Sequence, residues 1–80
     1  MARNSLPTYA IVELLIRLNA HDDSIGDYKD HTMYDDEVIV KTSNGTIRLT
    51  QALVQQQFEA PETITENELV QITSAVRKAN

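Results

Sequence analysis

Cysteine and tryptophan are absent from this 80-residue chain, and glycine and proline occur only twice each. Without cysteine there is no disulfide framework, no thiolate zinc site and no requirement for an oxidising compartment. Two glycines cannot furnish a glycine-rich phosphate loop, and Ser5, Ser24, Ser43 and Ser74 stand in no nucleophile-elbow context. His21 and His31 are far apart in polar sequence, with no third ligand at a diagnostic spacing. No metal, no cofactor and no catalytic residue is expected, so the chain reads as a non-enzymatic protein.

Positive charge is also scarce. Seven Lys and Arg face twelve Asp and Glu, a net charge of -5. That balance argues against broad affinity for nucleic acid or for an anionic membrane, although mimicry of nucleic acid would need such a surface. Nor is there an apolar run near the roughly 20 residues that span a bilayer. Arg3 precedes an apolar stretch, but internal charges and a missing small-residue cleavage pattern speak against a secretory signal. The expectation is a soluble cytoplasmic protein with no membrane insertion (in the host cytoplasm, if phage-encoded).

What is present is organised around the stretch from Leu6 to Leu18. At about 3.6 residues per turn, Ile11, Leu14, Leu15 and Leu18 form one apolar stripe, and Tyr9, Val12 and Ile16 form a second beside it. Glu13 and Arg17 lie four apart in the favourable order and read as one narrow polar ridge. Ser5 is a candidate N-cap with Pro7 in the first turn, and the helix should end near Asn19 or Ala20. A helix this apolar is the expected spine of the core. At this length a core yields only about 3–5 kcal/mol of net stability, so self-association through the first helix is the expected reinforcement.

Residues 21–37 hold seven acids, Asp22, Asp23, Asp27, Asp30, Asp35, Asp36 and Glu37, against the single Lys29. The segment therefore carries -6 and leaves +1 for the rest of the chain. With Gly26 and no long apolar period it reads as a long acidic surface loop, and loops beyond about 12–15 residues are usually functional or disordered. Ile25, Tyr28, Met33 and Tyr34 give it material to lie down on the core.

Two β-branched runs follow, 37–42 and 46–49, around Ser43-Asn44-Gly45. Asn-Gly is a strong hairpin signal, and a two-residue Asn44-Gly45 loop pairs Thr42 with Ile47, Lys41 with Arg48 and Val40 with Leu49. Val38, Val40, Ile47 and Leu49 then share the face that packs on the first helix. Thr50 caps a short helix over residues 51–59 with Leu53, Val54 and Phe58 on its apolar side and Gln55, Gln56 and Gln57 on a solvated face. Ala60-Pro61 ends it. Thr65 and Glu68 form a capping box, with Ile64 and Leu69 as its hydrophobic staple, for a last helix burying Leu69, Ile72 and Val76. The expected fold is one small α+β domain over residues 1–80, in the order helix, long acidic loop, hairpin, helix, helix.

Two functional constellations stand out. The acidic segment is a candidate protein-binding site through Asp22, Asp23, Asp27, Tyr28, Asp30, Tyr34, Asp35 and Asp36, since tyrosines concentrate at binding hot spots. Its partner would be a protein with a basic surface. The alternative is a solvated, solubilising loop, and the ligand spacing does not match a calcium-binding EF-hand. Lys41 and Arg48, opposite one another on the outer hairpin face, are a possible anion contact, or simply extend their heads into water. The leading expectation is a small acidic module that binds and inhibits or regulates a larger effector. Acidic, cysteine-free single domains of this size occur among phage and mobile-element accessory proteins, an analogy of size and charge. The second is a dimeric nucleic-acid-binding regulator touching phosphate with Lys41, Arg48, Arg77 and Lys78, against which the net charge weighs. A structural subunit of a larger assembly is the third.

Overall fold

Ile11, Leu14, Leu15 and Leu18 are all at most 1% exposed, and they line one side of helix α1 (Thr8–His21). The computed structural model describes residues 6–79, with side chains through Val76. Ser5 lies outside the described residues. Pro7, in extended geometry with no side-chain cap bond, is the N-cap position of α1, one residue before the helix. Its missing N–H costs nothing there, because the first helical amides have no intrahelical partner.

After α1 come β1 (Tyr28–Tyr34), β2 (Glu37–Thr42), β3 (Gly45–Thr50), α2 (Gln51–Glu59), a 3-10 turn over Pro61–Thr63, and α3 (Glu66–Ala79). The domain is α+β, as expected, with an antiparallel three-stranded sheet in the order β1-β2-β3. The helices cover one face of that sheet, where Val38, Val40, Thr42, Ile47 and Leu49 are buried. Alternate residues Lys41, Thr46, Arg48 and Thr50 are exposed on the other face. That alternation is the period-2 pattern of a half-buried antiparallel sheet.

The segment expected to be a loop supplies β1. Two features hide it. Lys29 is an extra residue, because Tyr28 pairs with Thr42 while Asp30 pairs with the adjacent Lys41. The bulge breaks the alternation, so Tyr28, His31 and Met33 all turn towards the helices, while Asp30, Thr32 and Tyr34 turn away. The second feature is the turn: Asp35 adopts φ +57, a left-handed conformation that aspartate tolerates better than most residues. β1 and β2 are thus joined by a two-residue acidic turn, Asp35-Asp36.

The β2–β3 register also differs from the expectation. Thr42 pairs with Gly45, Val40 with Ile47, Ile39 with Arg48 and Val38 with Leu49, so the two-residue loop is Ser43-Asn44. The shift moves each partner by two positions. An even shift preserves faces, which is why the core residues of the hairpin were correctly identified. Tertiary bonds hold this turn: Thr42 Oγ1 donates to Ile25 O at 2.8 Å, Asn44 Nδ2 to Ser24 O at 2.8 Å, and Ser43 N to Asp27 O at 2.9 Å.

Both later helices start as expected. Leu53 N donates to Thr50 Oγ1 at 3.1 Å, capping α2. Glu68 N donates to Thr65 Oγ1 at 3.1 Å and Thr65 N to Glu68 Oε1 at 3.0 Å, the reciprocal pair of a capping box. Leu69 and Val76 of α3 are buried with Ile64, and Ile72 packs against the same core.

Candidate functional site

β1 is an edge strand, and the acids of residues 21–37 are distributed along it rather than gathered in one loop. Asp22, Asp23 and Asp27 stand at the α1–β1 end, Asp35 and Asp36 at the β1–β2 turn, and Asp30 between them. Six residue steps of strand separate the ends by roughly 20 Å at about 3.3 Å per residue. The candidate site is an acidic border along one side of the sheet.

Its members are not equivalent. Asp22 is the C-cap of α1, and its Oδ1 accepts from Ser24 N at 3.0 Å and Ser24 Oγ at 2.7 Å. Asp30 Oδ1 accepts from His31 N at 2.8 Å. A two-residue turn makes Tyr34 and Glu37 a hydrogen-bonded pair, and alternation then points the N–H of His31 away from β2. Asp30 therefore caps a donor on the open edge, a local defence against strand addition that the Lys29 bulge reinforces. Asp27 is bound through its backbone, with Asp27 N donating to Ser43 Oγ at 2.9 Å, while its side chain is exposed. Asp23, Asp35 and Asp36 are exposed as well.

The two tyrosines part company. Tyr34 lies on the outer sheet face at 62% exposure, beside the Asp35-Asp36 turn. Tyr28 is partly buried against the core, and its hydroxyl sits 2.8 Å from His31 Nδ1. The bulge is what separates them, since six residues of regular strand would place both on one face. Tyr28 is thus turned towards the helix layer and Tyr34 towards the outer sheet face.

Lys41 and Arg48 are not opposite one another. Lys41 is flanked by Asp30 on β1 and Thr46 on β3, whereas Arg48 faces Ile39 and lies 3.8 Å from Glu37 Oε1. Each cation on this face has a carboxylate neighbour, so the like-charge juxtaposition expected from the sequence does not arise. The side chains of Arg77 and Lys78 lie outside the described residues.

The two histidines take separate structural contacts. His21 Nε2 is 2.9 Å from Glu66 Oε1, joining the end of α1 to the start of α3. Among the described residues, no three His, Cys, Asp or Glu side chains converge as a metal site, and no helix is long and apolar enough to cross a membrane.

Sequence reasoning misplaced α1's polar ridge. Glu13 is exposed, but Arg17 turns inward and donates to Gln57 Oε1 at 2.7 Å, Pro61 O at 3.1 Å and Ile64 O at 3.0 Å. Gln57, expected on a solvated face, is 5% exposed. The missed signal was angular: Arg17 sits beside the core stripe, three residues after Leu14 and one before Leu18. The flank left open is instead Tyr9, Glu13, Ile16 and Ala20, with Tyr9 57% and Ile16 62% exposed. Phe58 of α2, 42% exposed, meets Tyr9 edge-on at 6.0 Å between ring centroids. Comparison with protein-family models, curated proteins and solved structures returned no significant match.

Proposed function

We propose that the chain is a non-enzymatic protein-binding module that regulates or inhibits a larger effector by docking the β1 side of its sheet on a positively charged protein surface. One observation carries this reading. Among the described residues no helix covers the outer sheet face, which presents an exposed aromatic, Tyr34, paired across the strands with Glu37 and followed by the Asp35-Asp36 turn, with Asp30 farther along the same strand. A large amphipathic side chain with carboxylates beside it matches the anatomy of a hot spot with a charged rim. The acids speed and orient encounter with a basic partner, and Tyr34 with the half-buried Ile39 supplies contact area.

The test separates docking from folding by sparing the acids that hold the fold. In Asp23→Lys/Asp36→Lys, both altered side chains are exposed in turns. Tyr34→Ala removes the aromatic. Crosslinking in an extract of the source cell, read by mass spectrometry, should yield a partner whose contact surface is basic. Both variants should lose it while keeping the wild-type circular dichroism spectrum. Retention of every crosslink by both folded variants would remove this surface from the mechanism.

The flank of α1 supports self-association as a separate reading. Tyr9, Ile16 and Ala20 of α1, with Phe58 beside them, lie open around the lone charge of Glu13, on the helix layer and away from the outer sheet face. A second copy of the chain is the occupant we assign to it, because apolar cover is what a core of this size lacks.

A further inference from the structure

The docking surface makes no use of Asn44-Gly45, whose place in the fold has its own chemical consequence. Asparagine before glycine is the dipeptide most open to intramolecular attack, because glycine carries no Cβ to obstruct its own amide nitrogen. Nothing crowds Gly45 here: a Cβ built on it would meet no atom within 4 Å. We infer that Asn44 is a site of spontaneous deamidation, and that docking of the α1–β1 loop on the β2–β3 turn sets how fast the reaction runs.

The step is balanced with water as the only co-reactant. The Gly45 backbone nitrogen bonds to Asn44 Cγ, the bond from Cγ to Nδ2 breaks, and ammonia leaves with the amide proton. Water then opens the resulting succinimide. Opening at Cγ leaves aspartate, and opening at the Asn44 backbone carbonyl leaves isoaspartate, with the chain running through the side chain.

The folded turn opposes this geometry at both reacting groups. Asn44 Nδ2 is held by Ser24 O at 2.8 Å, which fixes the carboxamide against the α1–β1 loop. Asn44 N donates to Thr42 Oγ1 at 3.1 Å, that oxygen also lies 3.0 Å from Gly45 O, and Gly45 pairs with Thr42 to close the hairpin. Attack therefore requires the turn to separate from the loop. Gly26, at φ +96, is a place where the two lie tightly together: a Cβ there would stand 2.8 Å from Ser43 Oγ and 2.9 Å from Asn44 N.

The product does not restore the contact. A carboxylate oxygen replaces the Nδ2 donor and faces the Ser24 carbonyl, acceptor against acceptor, beside the acids Asp22, Asp23 and Asp27. Deamidation thus irreversibly removes one of the bonds that hold the loop on the turn and adds one negative charge at that end of the acidic border. This holds whatever the border binds.

The experiment compares the intact protein with a synthetic peptide of residues 41–48 in one mildly alkaline buffer, following mass gain at Asn44 and isoaspartate by mass spectrometry. The peptide should deamidate readily. The folded protein should react about tenfold more slowly or less, as a reaction confined to a locally opened state must. Gly26→Ala and Ser43→Ala, which loosen the loop contact, should both raise the rate, and Asn44→Gln should abolish the modification. Ser43→Ala removes only the oxygen that accepts from Asp27 N, and it decides the matter if Gly26→Ala fails to fold. Equal rates in peptide and protein, or a wild-type rate in folded Ser43→Ala, would overturn control by the loop. An unreactive peptide would overturn the site itself.

Discussion

The Arg17 guanidinium reaches from α1 to Gln57 of α2, donating to its Oε1 at 2.7 Å. Two further bonds, to Pro61 O and Ile64 O, let one side chain join α1, α2 and the connection into α3. Pro61 O already accepts from Ile64 N within the 3-10 turn at 3.1 Å, and Arg17 gives it a second donor while also serving Ile64 O. A planar fork of donors serves several acceptors at once, which an ammonium on a flexible stem does poorly. Arg17→Lys should lower stability by about 1–3 kcal/mol, read as a fall in the urea midpoint at unchanged slope. A midpoint within error of wild type would mean that water satisfies those carbonyls instead.

Gly26 is required twice over, by its left-handed φ of +96 and by the backbone nitrogen of Asn44, which lies only 2.9 Å from where a Cβ would stand. Gly26→Ala should cost about 2 kcal/mol or more, since strain in that region of φ and a steric shift combine. Thermal denaturation gives the answer directly. A change under about 0.5 kcal/mol would show that the turn yields freely.

Thr65 sits at the N-cap of α3, and its hydroxyl accepts from Glu68 N. Thr65→Ala should destabilise by about 1 kcal/mol, and Thr65→Ser should be near neutral because the accepting oxygen is kept. Chemical denaturation of the pair separates the cap from any effect of side-chain volume. Equal losses in both would assign the effect to the methyl group.

Ile16 is 62% exposed on the open flank of α1. Ile16→Lys removes no buried contact of comparable size and should leave the melting temperature within a few degrees of wild type. Light scattering across a concentration series should show the wild type heavier than one chain at high concentration and the variant at monomer mass. A wild type that stays monomeric throughout would end the self-association reading.

Much of the architecture was legible because it is written in local chemistry. The α1 core stripe, the Thr50 cap, the Pro61 stop and the Thr65–Glu68 box each need only residues within a turn or two of one another. The Val38, Val40, Ile47 and Leu49 face survived an error in register because that error was even. β1 was illegible for a physical reason: the Lys29 bulge destroys the alternation by which a strand is recognised, and the acids that flank the strand at both ends read as loop.

The candidate surface was legible in composition and not in shape. Net charge located it in residues 21–37, but composition has no direction. Only strand pairing spread the acids along an edge, turned Tyr34 out and Tyr28 in, and set Asp30 and Glu37 beside the cations of the outer face. Sequence alone determined where α2 and α3 begin, the buried stripe of α1, the inward face of the hairpin and where negative charge gathers, because these follow from neighbours along the chain. The tertiary structure decided the register of the β2–β3 turn, the inward path of Arg17 and the exposed flank of α1. Each of those depends on atoms many residues away: Ile25 O and Ser24 O for the turn, Gln57 and Ile64 for Arg17, and the sides of α1 on which α2, α3 and β1 pack for the flank.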